Sequence, residues 1–377
     1  MLPRTWLPLL VMIFGLGVLI QLPWLVYVSV AVLGLMAFSQ WWMRQSLKNV
    51  HYQRRIRYRR GFPGETSPVS LEIENKKRLP LPWLKVTDPW PYAVGPQDEE
   101  LLTPSHQQDR GLMAHYFSLR WFQRSQRQLS VTFKKRGVYP VGPAYVASSD
   151  IFGLYEKSAE LNNTEYLTVF PELLDRSRLN LPANYPFGSR AAPRRLFEDP
   201  NRTMGVRDYH PEDDIRRIHW PATAHTGNLQ VRIYEPVTAQ VMMICMNVAT
   251  TDSPWLTDIP ELLEKVIRVC ATLAYDGIQQ GYAVGLISNS CLAHSDQPFR
   301  VLPGRSPGQL ASLLQTLAGA TSYFSGAFEP LLFKSMGSLP IGATLAVVTG
   351  IVTEPLVDTL LRLKRNRANT TLISLEE

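Results

Sequence analysis

From position 5 to position 43 the chain carries no charged side chain. Within that stretch apolar residues form two runs, 6–20 and 22–43, parted by Gln21-Leu22-Pro23. A bilayer core takes about 20 apolar residues per helical span, so this stretch is too long for one span and fits two short ones joined by a tight turn. Beyond residue 50 the period changes. Val69-Ser70-Leu71-Glu72-Ile73-Glu74 and Leu129-Ser130-Val131-Thr132-Phe133-Lys134 alternate apolar with polar, as strands buried on one face do. Turn residues punctuate the region: Pro63-Gly64, Asn75, Pro80, Pro82, Pro104, Gly137, Pro140, Gly142-Pro143 and Gly153. The pattern predicts an all-β sandwich over 51–171, with 166–170 as its last strand. Residues 172–204, rich in Pro, Arg and Asn and without a period, read as a linker.

From residue 239 to residue 377 strands and helices alternate. The run 241–248 is apolar and of strand length, and Asp258-Ile259-Pro260-Glu261 resembles a capping box with proline in the first turn. The helix after it turns Leu262, Val266, Val269 and Leu273 to one side. A strand is expected at 282–287 and a short one at 299–302. Ser306-Pro307-Gly308-Gln309 then opens a helix with Leu310, Leu313, Leu314 and Leu317 inward, closed by Gly319. A strand at 343–349, a helix at 355–365 and a strand at 370–375 complete the series. Fully apolar strands between amphipathic helices imply a parallel sheet covered on both faces, a doubly wound α/β domain. The fold class is therefore multidomain: a helical hairpin with a basic collar over 1–50, a sandwich, a linker, a motif segment over 205–238, and the α/β domain.

Charge orients the hairpin. Arg44, Lys48, Arg54, Arg55 and Arg57, with Arg59 and Arg60, follow the second run, and no acid falls between 44 and 60. Basic residues near span ends stay on the cytoplasmic side. Both ends are then expected inside, with the turn at 21–24 facing out, and the chain reads as a two-pass protein of the cytoplasmic (inner) membrane with its bulk in the cytoplasm. The rival, a cleaved signal peptide, lacks a small-x-small cleavage site and is followed at once by a second apolar run. The formal charge of +7 resides in Arg4 and this collar, and the remainder of the chain sits near neutrality. A nucleic-acid partner is therefore disfavoured, and the collar reads as a lipid-surface anchor. Three scattered cysteines, Cys245, Cys270 and Cys291, form no CxxC pair and suit a reducing compartment. Cys291 and His294 amount to at most half a zinc site.

The densest constellation runs Gly205-Val206-Arg207-Asp208-Tyr209-His210-Pro211-Glu212-Asp213-Asp214-Ile215-Arg216-Arg217-Ile218-His219-Trp220, followed by Ala222, Ala224 and the segment 229–235. Here the chain resembles the bacterial family catalogued as domain of unknown function fifty-eight, whose pattern runs roughly Gly-x-Arg-x-Tyr, Gly-Asp, Arg-x-Ile-His-Trp, then a small-residue helix and a strand. Lys135-Arg136-Gly137-Val138-Tyr139 and Asp150-Ile151-Phe152-Gly153-Leu154 are similar to further elements of that family. Glu212 departs from its usual Gly, and Pro221 and His225 stand where basic residues are common. The resemblance implies a von Willebrand A-like C-terminal domain and a partnership with MoxR-type AAA ATPases.

The motif admits two readings. In one, Arg207, Asp213, Arg216 and Arg217 form ion pairs that lock a junction together with Trp220. In the other, an exposed basic and aromatic patch grips a partner, since Arg and Trp are favoured anchors. His219, between Ile218 and Trp220, reads as a packed histidine. In A-like domains a divalent ion is held by Asp-x-Ser-x-Ser after the first strand and an Asp after a later one. The matching positions here are Asn247, Ala249 and Thr251, with Thr349-Gly350 later. Ala249 offers no oxygen and the carboxylates are missing, so the resemblance implies a degenerate site without metal, Asp252 lying one residue beyond the pattern.

No catalytic signature or cofactor motif stands out in the sequence. The expected function is a non-catalytic, membrane-anchored adaptor that presents a protein-binding α/β domain, with homo-oligomerisation open. Two alternatives remain. One is a metal-dependent hydrolase built on His210, Asp213 and His219. The other, with the topology reversed, is an envelope-facing protein that binds polysaccharide or matrix.

Overall fold

The computed structural model describes residues 6–175, 198–211, 213–236, 241–251, 259–293, 298–324, 326–337, 339, 343–365 and 369–375. They fall into two compact units, Met1–Phe170 and Pro171–Glu377.

The first unit opens with α1 (Trp6–Leu19) and α2 (Pro23–Ser46). Pro23 sits in the first turn of α2, where its missing N–H costs no helical hydrogen bond. Gln21 takes the turn between them at φ 57°. Gly17 lets the helices meet, since a Cβ there would stand 2.9 Å from Leu25 Cδ2. Among the described residues only α2 is long and apolar enough to cross a membrane. Its last turns bury Met36, Ser39, Trp42 and Ser46, spaced three to four residues apart and so on one face.

Twelve strands follow: β1 (Val50–Ile56), β2 (Arg60–Gly61), β3 (Thr66–Asn75), β4 (Leu81–Pro91), β5 (Val94–Pro96), β6 (Leu102–Pro104), β7 (Arg110–Leu119), β8 (Arg124–Phe133), β9 (Gly137–Val141), β10 (Ala144–Ser149), β11 (Glu156–Leu161) and β12 (Glu165–Val169). They form sheets ordered β1-β3-β8-β5, β11-β10-β4-β7-β6 and β2-β12-β9. The alternation read in the sequence fixes the inner face. Val69, Leu71 and Ile73 of β3 share one core with Leu84, Val86 and Trp90 of β4, Phe117 of β7 and Phe133 of β8. Large apolar side chains buried from two sheets into one layer supply the main stabilisation of such a unit.

The basic segment departs from the expected collar. Inward positions of β1 recur with period two at Tyr52, Arg54 and Ile56, so Arg54 enters the core. Its Nη1 donates to Asp88 Oδ1 at 2.6 Å, its Nη2 donates to the Asn163 carbonyl, and Tyr52 OH donates to Asp88 Oδ2 at 2.7 Å. Arg54 is therefore a core ion pair and cannot anchor lipid. Arg55 pairs with Glu72 at 3.1 Å, Arg59 pairs with Glu165 at 2.8 Å, and Arg57 lies over the Tyr58 ring. Arg44, in the last turn of α2, and Lys48 keep places beside the apolar helix.

The second unit begins earlier than the linker reading allows. Leu174 N–H donates to Thr272 Oγ1 at 2.9 Å, and Glu172 pairs with Arg268 at 3.2 Å. Residues 198–204, assigned to the linker by their composition, are strand. They belong to β13 (Glu198–Asp208), which pairs with β14 (Gln230–Pro236) and flanks α3 (Trp220–Thr226). Pro200 and two register shifts in this ribbon are the reason its period is hidden. The rest of the expected linker, 176–197, lies outside the described residues.

The α/β part comprises β15 (Val241–Met246), α4 (Pro260–Gln279), β16 (Ala283–Leu292), β17 (Pro298–Gly304), α5 (Gln309–Ala318), β18 (Ala320–Phe324), α6 (Phe328–Met336), β19 (Thr344–Thr349), α7 (Glu354–Arg365) and β20 (Asn369–Ser374). The sheet runs β17-β16-β15-β19-β20, with β18 paired to the far end of β16. Strands β16, β15, β19 and β20 are mutually parallel, and β17 is an antiparallel edge. Met243, Cys245, Leu345 and Val347 pack with Phe328 and Leu332 of α6 and with Leu356 and Leu363 of α7. The expected capping box does not form: Ile259 is the N-cap of α4 and lends no side chain, while its N–H donates to Thr250 Oγ1 at 3.0 Å. Asp258 lies outside the described residues, as do Asp252 and His294.

Candidate functional site

The family-like motif folds as one small module between β13 and β14. Arg207 grips Asp213 as a two-pronged fork, Nη1 to Oδ2 at 2.7 Å and Nη2 to Oδ1 at 2.5 Å. The same carboxylate accepts the His210 backbone N–H at 2.9 Å. The Arg207 hydrogen bonds, and then that amide, hold the Asp213 carboxyl below the usual carboxylate range. Asp214 caps the short 3-10 turn Ile215–Arg217, its Oδ1 accepting from Arg216 N–H at 3.0 Å. His219 Nδ1 accepts from Ala222 N–H at 3.0 Å and so caps α3, which Gly227 ends in the left-handed region at φ 75°. Inside lie Ile218, Val231 and Gln230, whose Nε2 donates to Asp208 Oδ1 at 2.5 Å.

Arg207 and Asp213 form an ion pair within the module. Trp220 is 65% exposed, Ile215 is 68% exposed, and Arg216 and Arg217 are exposed beside them. His219 is a helix cap rather than a packed ring. Pro221 occupies the first turn of α3, where its missing N–H costs no helical hydrogen bond. Tyr209 is half-buried, its N–H donating to Leu229 O at 2.9 Å. Nothing stands within 4 Å of where a Cβ on Gly205 would lie, so close packing does not require glycine there. Among the described residues His210, Asp213 and His219 do not combine with others into a metal-holding group. Asp213 and His219 already serve Arg207 and α3.

At the carboxyl edge of the parallel sheet, Asn247 and Ala249, two of the positions matched to a metal site, join a neutral amide network with Asn289 and Thr349. Asn247 Oδ1 accepts from Ala249 N–H at 3.2 Å and from Asn289 Nδ2 at 3.0 Å. Asn247 Nδ2 donates to Thr349 Oγ1 at 3.1 Å, and that hydroxyl donates to Ile351 O at 2.6 Å. Asn289 Oδ1 accepts from Val248 N–H at 3.1 Å. The polar atoms of two strand ends and two loops are thus satisfied by one another, as burial demands. Hard cations favour carboxylate oxygens, and this donor set offers only neutral ones already in use. Asn289 escapes the sequence reading because β16 continues five residues past the apolar run, through buried Ser288, Asn289 and Ser290. Cys245, Cys270 and Cys291 are buried free thiols, and burial pushes the first two above the ordinary thiol range.

Residues 205–374 match the model of a family described as "Protein of unknown function DUF58". The uncharacterized protein YeaD of Bacillus subtilis (strain 168) is 20% identical over 227 residues, 60% of this chain and 52% of the relative. The chain spans about half the length of the curated relative it matches. Among solved structures, the CARDB domain of a Pyrococcus furiosus protein overlaps 32% of this chain and 91% of its own, at 12% identity and TM-score 0.21. Native alpha-2-macroglobulin from Escherichia coli overlaps 33% of this chain and 24% of its own, at 16% identity and TM-score 0.25. Neither score reaches the level of a shared fold.

Proposed function

We propose, from the match of residues 205–374 to the DUF58 family, that the chain is a non-catalytic, membrane-anchored adaptor whose motif module grips a protein partner. By resemblance that partner is a MoxR-type AAA ATPase, and the α/β part is von Willebrand A-like in role, presenting a surface without a metal. In this reading α1 and α2 form a two-pass anchor in a cytoplasmic membrane, the β unit is a spacer, and the second unit works in the cytoplasm on an envelope or membrane complex.

One observation carries the reading. The module is held from within by Asp213, Asp214 and His219, so Ile215, Arg216 and Trp220 are available to something outside it. Exposed tryptophan and arginine on a rigid frame are the residue types that dominate binding hot spots. The test is co-purification of the ATPase with the full chain in detergent. Trp220→Ala, and separately Arg216→Glu with Arg217→Glu, should each cut recovery at least tenfold while leaving the thermal midpoint unchanged. Full recovery with both variants would refute the interface. Loss of folding would return the motif to a structural role.

A further inference from the structure

Strand register places every element at the end of the β unit where α2 enters. Val50 of β1 pairs with Asn75 of β3, Glu74 with Arg124 of β8, Leu81 of β4 with Leu119 of β7, and Leu84 with Ser148 of β10. The turn from β7 to β8 and the loop from β10 to β11 therefore lie at the helix end. Side chains tie both to α2. Lys77 Nζ donates to Ser46 O at 2.5 Å and to Lys48 O at 2.9 Å, while the Lys77 carbonyl accepts Phe122 N–H at 3.3 Å. Gln40 Nε2 donates to Tyr155 OH at 3.4 Å.

Each loop presents an apolar tip. Trp121 and Phe122 are 66% and 64% exposed, and Ile151 and Phe152 are each about half exposed. These tips are firmly built. Phe122 holds φ 52°, a conformation unfavourable for an aromatic residue. Buried Asn75 supports it by donating Nδ2 to Leu79 O and Arg120 O. Under the second tip, buried Asp150 accepts Phe152 N–H at 3.1 Å and Tyr155 N–H at 2.8 Å. Exposed Arg78, Arg120 and Lys48 stand at the same end. Gln40 is one helical turn, about 6 Å, before Arg44, so Tyr155 meets α2 level with exposed Phe38 and Trp41. Aromatic side chains among basic ones are what the headgroup layer of an anionic bilayer favours.

We infer that this end of the β unit docks on an anionic lipid surface, with Trp121, Phe122, Ile151 and Phe152 sunk among the headgroups. The inference rests on the reading of α2 as a membrane span, and continuity with α2 selects lipid over a protein occupant. The native cysteines are buried, so nitroxide labels can be confined to Phe122→Cys, Phe152→Cys, Val30→Cys on α2, and Tyr92→Cys at the opposite end, in the full chain. In nanodiscs containing phosphatidylglycerol, the 122 and 152 labels should be shielded several-fold from an aqueous nickel chelate relative to 92. Their oxygen exposure should fall between those of 92 and 30. If 30 lies in hydrocarbon while 122 and 152 match 92, the docking surface is refuted and the span stands. Shielding of 122 and 152 from both oxygen and nickel indicates a protein contact and refutes it too. A label at 30 exposed to nickel overturns the span and the docking together.

Discussion

Arg54 is one of five arginines between positions 54 and 60, and its surroundings set it apart from the other four. The sequence shows a run of charge there, and charge ordinarily means surface. The overlooked signal is local: Tyr52 and Ile56 flank Arg54 at the strand period, so whichever face they share, the arginine shares as well. The guanidinium is acceptable inside because Asp88, itself held by Tyr52, meets it. Burial pushes the Asp88 carboxyl above the usual carboxylate range, against the opposing pull of Arg54 and the Tyr52 hydroxyl. Removing the cation leaves a buried acid uncompensated, which costs about 3–5 kcal/mol. Arg54→Met should lower stability by that order in denaturant titration of the full chain in detergent, and adding Asp88→Leu should recover much of the loss. A carboxyl with a raised folded pKa stabilises at acid pH and loses that contribution as pH rises through its folded value. Losing Arg54 removes the interaction that pulls this pKa down, so the deficit of Arg54→Met should be larger at pH 7 than near pH 4. A deficit independent of pH would contradict this account of the pair.

Among the elements, legibility followed period and punctuation. The strands β15 and β19 and the helices α4, α5 and α7 carry long apolar runs or a single apolar face, and the sequence places them within a few residues. By contrast α6 is hidden: it is nine residues long, no side chain caps it, and Pro330 in its first turn looks like a breaker. β18 is hidden because it pairs irregularly with the outer end of β16. The motif module is legible as a pattern of residues but not as a shape, since its hydrogen bonds join a 3-10 turn, a seven-residue helix and a bulged ribbon. Its stability belongs to Asp213 as a charged acceptor. A carboxylate with a depressed folded pKa stabilises above its ordinary value and loses that contribution as pH falls through the folded one. Hydrogen exchange at the His210 amide, corrected for intrinsic rate, should accelerate as pH drops into that acidic window. It should already be fast in Asp213→Asn at neutral pH. An unchanged amide in both conditions would remove the fork from the account.

At the scale of the molecule, one apolar helix near the N-terminus is a candidate membrane anchor. α2 is 24 residues long, about 36 Å at helical rise, against a hydrocarbon core of about 30 Å. Trp24 and Trp41, both exposed, stand about 25 Å apart along it, the spacing of two interfacial belts. Pairing within the β unit removes Arg54, Arg55 and Arg59 from the free positive charge beside the helix. The proposed orientation therefore rests on Arg44 and Lys48, with Arg78 and Arg120 at the same end of the β unit. The proposed adaptor has meaning only if the motif module shares a compartment with a cytoplasmic partner. The most direct test is a Trp220→Cys chain treated with a membrane-impermeant maleimide, in spheroplasts and in inside-out vesicles, the native thiols being buried. Labelling is expected in the vesicles and none in the spheroplasts. Labelling of intact spheroplasts would put the module outside the cell and contradict it.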